Sequence, residues 1–191
     1  MIELCFKQTK LRVDFSFFAV LTVFLLCDRQ GFGLWAIAAC TAHELSHLLV
    51  MRCLQIPARS ITLYGAGAMI TSPETERAAL WKQAAVYSAG IVMNLVFAAA
   101  LSLFGFWRGA AVSLMTGLFN LLPLGEFDGA RLLKLAAIRL AQPQHVAPAE
   151  RIGNAASLAV LALVAGAMHG QLGITLLFTL GYIAAVALLR V

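Results

Sequence analysis

Long apolar runs joined by short, mostly basic loops constrain this chain more than any other feature of its sequence. Runs near 13–27, 31–53, 83–107, 109–124, 152–168 and 171–190 carry few charges, and a helix needs roughly 20 apolar residues to cross a bilayer. No water reaches backbone groups in hydrocarbon, so such runs have to be helical. The chain is 61% hydrophobic and 12% charged, against about 45 to 50% and about 25% in soluble domains. These observations predict an all-α polytopic membrane protein set in a lipid bilayer. About six transmembrane helices are expected, or five if the short first or fourth run is re-entrant. No polar or low-complexity linker divides residues 1–191, so one membrane-embedded domain is expected.

The net charge of +5 comes from Lys and Arg scattered in ones and twos, without the dense stripe that nucleic acid binding requires. No nucleic acid partner is expected. Twelve of the 14 basic residues fall at the N-terminus, the second and fourth loops and the C-terminus, and two in the intervening loops. Positive charge marks the cytoplasmic side, so both termini are expected in the cytoplasm, with the protein in the cytoplasmic membrane if the source is prokaryotic. The first apolar run lacks a small-x-small cleavage site, so it is expected to remain as a span. Cys5, Cys27, Cys40 and Cys53 form no C-x-x-C pair and read as small apolar residues. Between the second and third runs, residues 60–71 alternate, break at Gly65 and Gly67 and resume, which predicts a short β-hairpin.

Within the second run lies His43-Glu44-Leu45-Ser46-His47. Residues four apart share a helix face, so both imidazoles can grip one ion. Glu44 can then take a proton from a bound water without itself being a ligand. With four His and six Glu in 191 residues, chance supplies roughly 0.003 matches to H-E-x-x-H. An ionisable group near the centre of a membrane helix also costs roughly 2.5 to 3.5 kcal/mol to insert. Mutual hydrogen bonding between helices is the structural alternative.

Catalytic zinc usually takes three protein ligands and leaves one position for water. The third ligand must come from elsewhere, and His145, His169, Glu126 and Asp128 are the candidates. Pro123 and Gly125 are expected to break the fourth run just before Glu126 and Asp128. That puts both carboxylates on the side where the second run ends, and spacing alone leaves them as rivals.

His43-Glu44-Leu-Ser-His47 on a membrane helix, with Asn120-Leu-Leu-Pro123-Leu-Gly-Glu-Phe-Asp128-Gly129 some eighty residues later, resembles the site-2 protease family of intramembrane metalloproteases. The compact branch that includes the sporulation sigma-factor processing protease is most similar. The resemblance covers roughly residues 31–140. It implies one Zn2+ per chain held by His43, His47 and Asp128, with Glu44 catalytic and a membrane-anchored protein as substrate. Matching the second motif residue by residue puts the third ligand on Asp128, not Glu126. Gly90-Ile91-Val-Met-Asn94 is similar to the family's G-P-x-x-N, with Ile91 in place of Pro. By resemblance Asn94 and Asn120 position the scissile carbonyl or its oxyanion. The hairpin at Gly65 and Gly67 would dock an unwound substrate as an added strand. No PDZ or CBS domain is expected within the chain. Two other classes use the same ionisable groups: a metal-ion transporter or channel, and a protease-like membrane protein that binds partners without cutting them.

Overall fold

We describe a computed structural model over residues 1–6, 9–28, 30–65, 67–140 and 143–167. The expected sixth span, 171–190, and His169 lie outside the described residues. Two compact units are resolved, Met1–Phe119 and Asn120–Val191.

The first unit opens with two strands, β1 (Ile2–Phe6) and β2 (Thr9–Val13), followed by helices α1 (Phe15–Cys27) and α2 (Phe32–Cys53). Strands β3 (Ser60–Tyr64) and β4 (Gly67–Thr71) come next, then α3 (Pro73–Arg77), α4 (Leu80–Leu103) and α5 (Trp107–Asn120). The expected hairpin at 60–71 is present as β3 and β4, which pair from Ser60↔Thr71 to Tyr64↔Gly67. Gly67 turns with φ +130°, a conformation that a side chain disfavours.

An all-α fold is corrected here, because the hairpin belongs to a mixed four-stranded sheet in the order β1-β2-β3-β4. Residues 1–13 read in sequence as a basic tail, yet β1 and β2 form a hairpin whose second strand runs parallel to β3, Lys10↔Ser60 to Val13↔Leu63. A lone hairpin is marginal in water. It is ordered by a distant partner: Lys10 N–H donates to Arg59 O at 2.9 Å and Thr9 Oγ1 to Ala58 O at 2.8 Å. The parallel pair also sets the N-terminal strands and the segment after α2 on one side, as an out-and-back passage through α1 and α2 demands. The basic residues Lys10, Arg12 and Arg59 therefore gather together, in keeping with their expected shared side.

Among the described residues, α2 (22 residues) and α4 (24 residues) are both long and apolar enough to cross a bilayer. Of the expected spans, these two meet both conditions among the described residues. Helices of 13 and 14 residues, α1 and α5, rise only about 20 Å, and α7 (Val146–Ala167) begins with Glu150, Arg151 and Asn154. Leu45, Leu49, Val92 and Val96 are largely exposed on α2 and α4, an apolar surface that suits lipid rather than water.

α2 and α4 run antiparallel and form the core contact of this unit. Helix α5 braces them through one face of small residues, Gly109, Ser113 and Gly117, all buried. A Cβ at Gly109 would stand 2.5 Å from Trp35 Cε3, and one at Gly117 3.1 Å from Asn94 Cβ, so glycine is what permits the close approach.

In the second unit, α5 stops at Asn120 and a turn over 121–127 leads into α6 (Asp128–Leu140), which packs on α7. Pro123 and Gly125 do break the chain as expected, Gly125 with φ +55° and its N–H on Asn154 Oδ1 at 3.0 Å. A Cβ at Gly129 would collide with the carbonyls of Leu121 and Leu122. The turn thus folds back tightly over the start of α6.

Between α1 and α2, Asp28 accepts N–H groups from Gln30 (3.2 Å), Phe32 (3.1 Å) and Gly33 (2.6 Å). These bonds satisfy donors that a helix start leaves open. Its carboxyl is held below the usual value of 3.8, chiefly by the Gly33 N–H. A depressed folded-state pKa stabilises above the unfolded value and is lost as pH falls through the folded one. Asp28→Ala is therefore expected to melt a few degrees below the parent in detergent at pH 7. The gap should shrink as pH is taken below 3.8, as a paired thermal scan would show.

Candidate metal centre

Helix α2 carries His43 and His47 one turn apart on its buried face, with 4% and 8% of their surfaces exposed. Their Nε2 atoms lie 3.1 Å apart and their rings meet edge to face at 76°. The polar face continues with Ser46, whose Oγ–H donates to His43 O at 2.6 Å. Glu44 is half-buried on the same turn.

What holds the two rings comes from α4. His47 Nδ1 lies 2.7 Å from the Val86 carbonyl. A carbonyl only accepts, so Nδ1 carries the proton and Nε2 keeps its lone pair, the form a metal ligand needs. One turn on, Gly90 leaves room for His43: a Cβ there would overlap the ring atoms Cε1, Nε2 and Nδ1. One turn further, the Asn94 amide nitrogen is 3.1 Å from His43 Nδ1. Asn94 is wholly buried, and its main-chain carbonyl accepts Ser113 Oγ–H from α5 at 2.9 Å. The helix pair therefore presents Val86, Gly90 and Asn94 in successive turns against His47 and His43.

In the second unit Asp128 begins α6 and is 8% exposed, in the first turn, where open backbone N–H groups favour an anion. Its rival Glu126 is exposed and pairs with Arg131 at 3.3 Å. His145 ends a short 3-10 turn and is exposed. Among the described residues, the buried His, Cys, Asp and Glu side chains are His43, His47 and Asp128. Two imidazole nitrogens and one carboxylate oxygen are a donor set that divalent zinc accepts.

Of the other residues singled out in the sequence, Asn120 closes α5 and is half-buried. Gly65 packs on α1, taking Ser16 Oγ as acceptor for its N–H at 3.1 Å, and Gly67 is exposed at the head of β4. β4 is an edge strand. Ile91, in the place of the resemblance's proline, is buried within an unbroken α4.

No protein-family model matches the chain. Rip3 from two strains of Mycobacterium tuberculosis, which bears the name of a zinc metalloprotease, is 32% identical over a 178-residue alignment covering 82% of this chain. The chain spans 45% of that relative's length. The structure of the site-2 protease from Methanocaldococcus jannaschii superposes with a TM-score of 0.66, covering 97% of this chain and 93% of the other at 16% identity. The chain shares the fold of that site-2 protease. In this chain the H-E-x-x-H helix is the element whose two histidines are buried side by side.

Sequence reasoning missed the supporting groups. The Val86 carbonyl has no side-chain signature. Gly90 was visible only as part of a partial motif, and Gly109, Ser113 and Gly117 only as a four-residue spacing of small residues that ordinary packing also produces. Gly90→Val is expected to push His43 out of line and weaken divalent-cation binding at least roughly tenfold. Val92→Ala, at an exposed position of the same helix, should leave it unchanged. Metal per chain after dialysis against a graded chelator measures both.

Proposed function

We propose that the chain is an intramembrane zinc metalloendopeptidase that hydrolyses peptide bonds within or near the membrane segment of an anchored protein. The observation that carries this reading is the buried pair of imidazoles 3.1 Å apart, one helix turn apart and flanking Glu44. The shared fold and the name of the mycobacterial relative agree with zinc and with proteolysis.

His43, His47 and Asp128 would hold one zinc ion. When bound, zinc supplies Lewis acidity, bringing the pKa of a coordinated water towards about 7. Glu44 follows a ligand directly on α2 and serves as the base: it takes a proton from the attacking water and returns it to the amine nitrogen that leaves. Val86 holds His47 in the tautomer that the site requires. Asn120 is assigned to positioning the scissile carbonyl.

A membrane helix keeps its peptide bonds in internal hydrogen bonds, so a substrate must unwind before attack. β4 offers an open sheet edge, and Gly67 exposes backbone at its start. We assign this edge, with Gly65 and Gly67, to pairing with the unwound segment. Both termini are assigned to the cytoplasmic side, as the charge pattern favours.

The test is cleavage of single-span substrates in membranes with zinc quantified in parallel. Glu44→Gln is expected to retain zinc and cut at least about 100-fold more slowly. Asp128→Asn should lose both zinc and cutting, and Glu126→Gln neither. Cutting that survives Glu44→Gln removes Glu44 as base. Zinc that survives Asp128→Asn but not Glu126→Gln moves the third ligand to Glu126.

A further inference from the structure

The side-chain oxygen of Asn94 is buried and has no hydrogen-bond partner among the described residues. It belongs to an amide whose nitrogen end lies 3.1 Å from His43 Nδ1. An amide interchanges its oxygen and nitrogen ends on a half turn, and the two arrangements demand different imidazole tautomers. With the NH2 end towards the ring, Nδ1 must accept, so the His43 proton sits on Nε2 and that nitrogen is closed to a cation. With the oxygen end towards the ring, Nδ1–H donates and Nε2 keeps its lone pair. His47 already has this arrangement through the Val86 carbonyl at 2.7 Å.

We propose that Asn94 is the positioning residue that sets the metal-binding tautomer of His43: its side-chain carbonyl accepts the proton of Nδ1, with the amide turned end for end from the orientation in the structure. The inference rests on the zinc reading above. Three features of the chain support it. The amide makes one bond to the ring in either orientation, and the turned one supplies the acceptor that a ligating Nε2 requires. Asn94 faces the ring nitrogen that points away from His47, behind the imidazole rather than at its ligating side. It is also completely buried, 0% exposed, and fixed by Ser113 and Gly117 of α5. This gives the residue a role distinct from contact with a scissile carbonyl.

The experiment uses the purified full chain in detergent. Zinc affinity is measured by chelator competition, and cobalt is substituted to read the ligand field by visible absorption. Asn94→Leu removes the acceptor and is expected to weaken zinc about tenfold to 100-fold. Asn94→Asp keeps an acceptor that cannot turn its donor end to the ring. It should bind zinc at least as tightly as the parent and shift the cobalt bands. If Asn94→Leu does not fold, Asn94→Ser, too short to reach the ring, substitutes for it with the same expected weakening. Unchanged zinc affinity in Asn94→Leu or Asn94→Ser, or tenfold weaker binding in Asn94→Asp, overturns the proposal and leaves the protease reading standing. Failure of the parent chain to bind zinc overturns both.

Discussion

The first unit is organised around the close approach of α2 and α4, where the His43 ring lies against the bare backbone of Gly90 and His47 bonds to the Val86 carbonyl. In a helix the side chain at i+4 tends to screen the carbonyl at i. Glycine at position 90 leaves the Val86 carbonyl open to a second donor. One missing side chain therefore lets two imidazoles enter the groove and gives one of them its hydrogen-bond partner. Polar groups in an apolar surrounding are costly unless paired, so this packing is also what makes a buried histidine pair tolerable.

Support for that approach comes from a third helix. Gly109, Ser113 and Gly117 bring α5 against Trp35 and Asn94. Association of membrane helices depends on van der Waals fit and interhelical hydrogen bonds, since lipid is as apolar as the side chains. Small residues at each contact meet that requirement here. With Ile91 where the resembling motif has proline, α4 is continuous through Leu80–Leu103. The regular rise then spaces Val86, Gly90 and Asn94 at one-turn intervals opposite the histidines.

The sheet adds a second constraint. β2 and β3 are parallel, so the chain has to leave and return through α1 and α2 before the two strands can meet. The pairing that orders the N-terminal strands also holds the basic residues on one side. Among the described residues β4 is an edge of the sheet, a template for another extended segment.

Much of the site was legible in the sequence because its chemistry is local. The i, i+4 spacing of His43 and His47 places both on one face of any helix that forms, and Glu44 is tied to them by the same turn. The break at Pro123 and Gly125 follows from backbone chemistry alone, and so does the hairpin at residues 60–71. The tertiary structure decided what depends on residues far apart in the chain. Ile2–Phe6 and Thr9–Val13 became strands because β3 offered the second of them a partner, which no local pattern of charges announces. Among the described residues two of the six apolar runs became helices both long and apolar enough to span, since hydropathy measures lipid compatibility while helix length is set by where caps and turns interrupt the ladder. The tautomer of His47 is a question for a backbone carbonyl 39 residues away, and a carbonyl leaves no mark in the sequence of side chains.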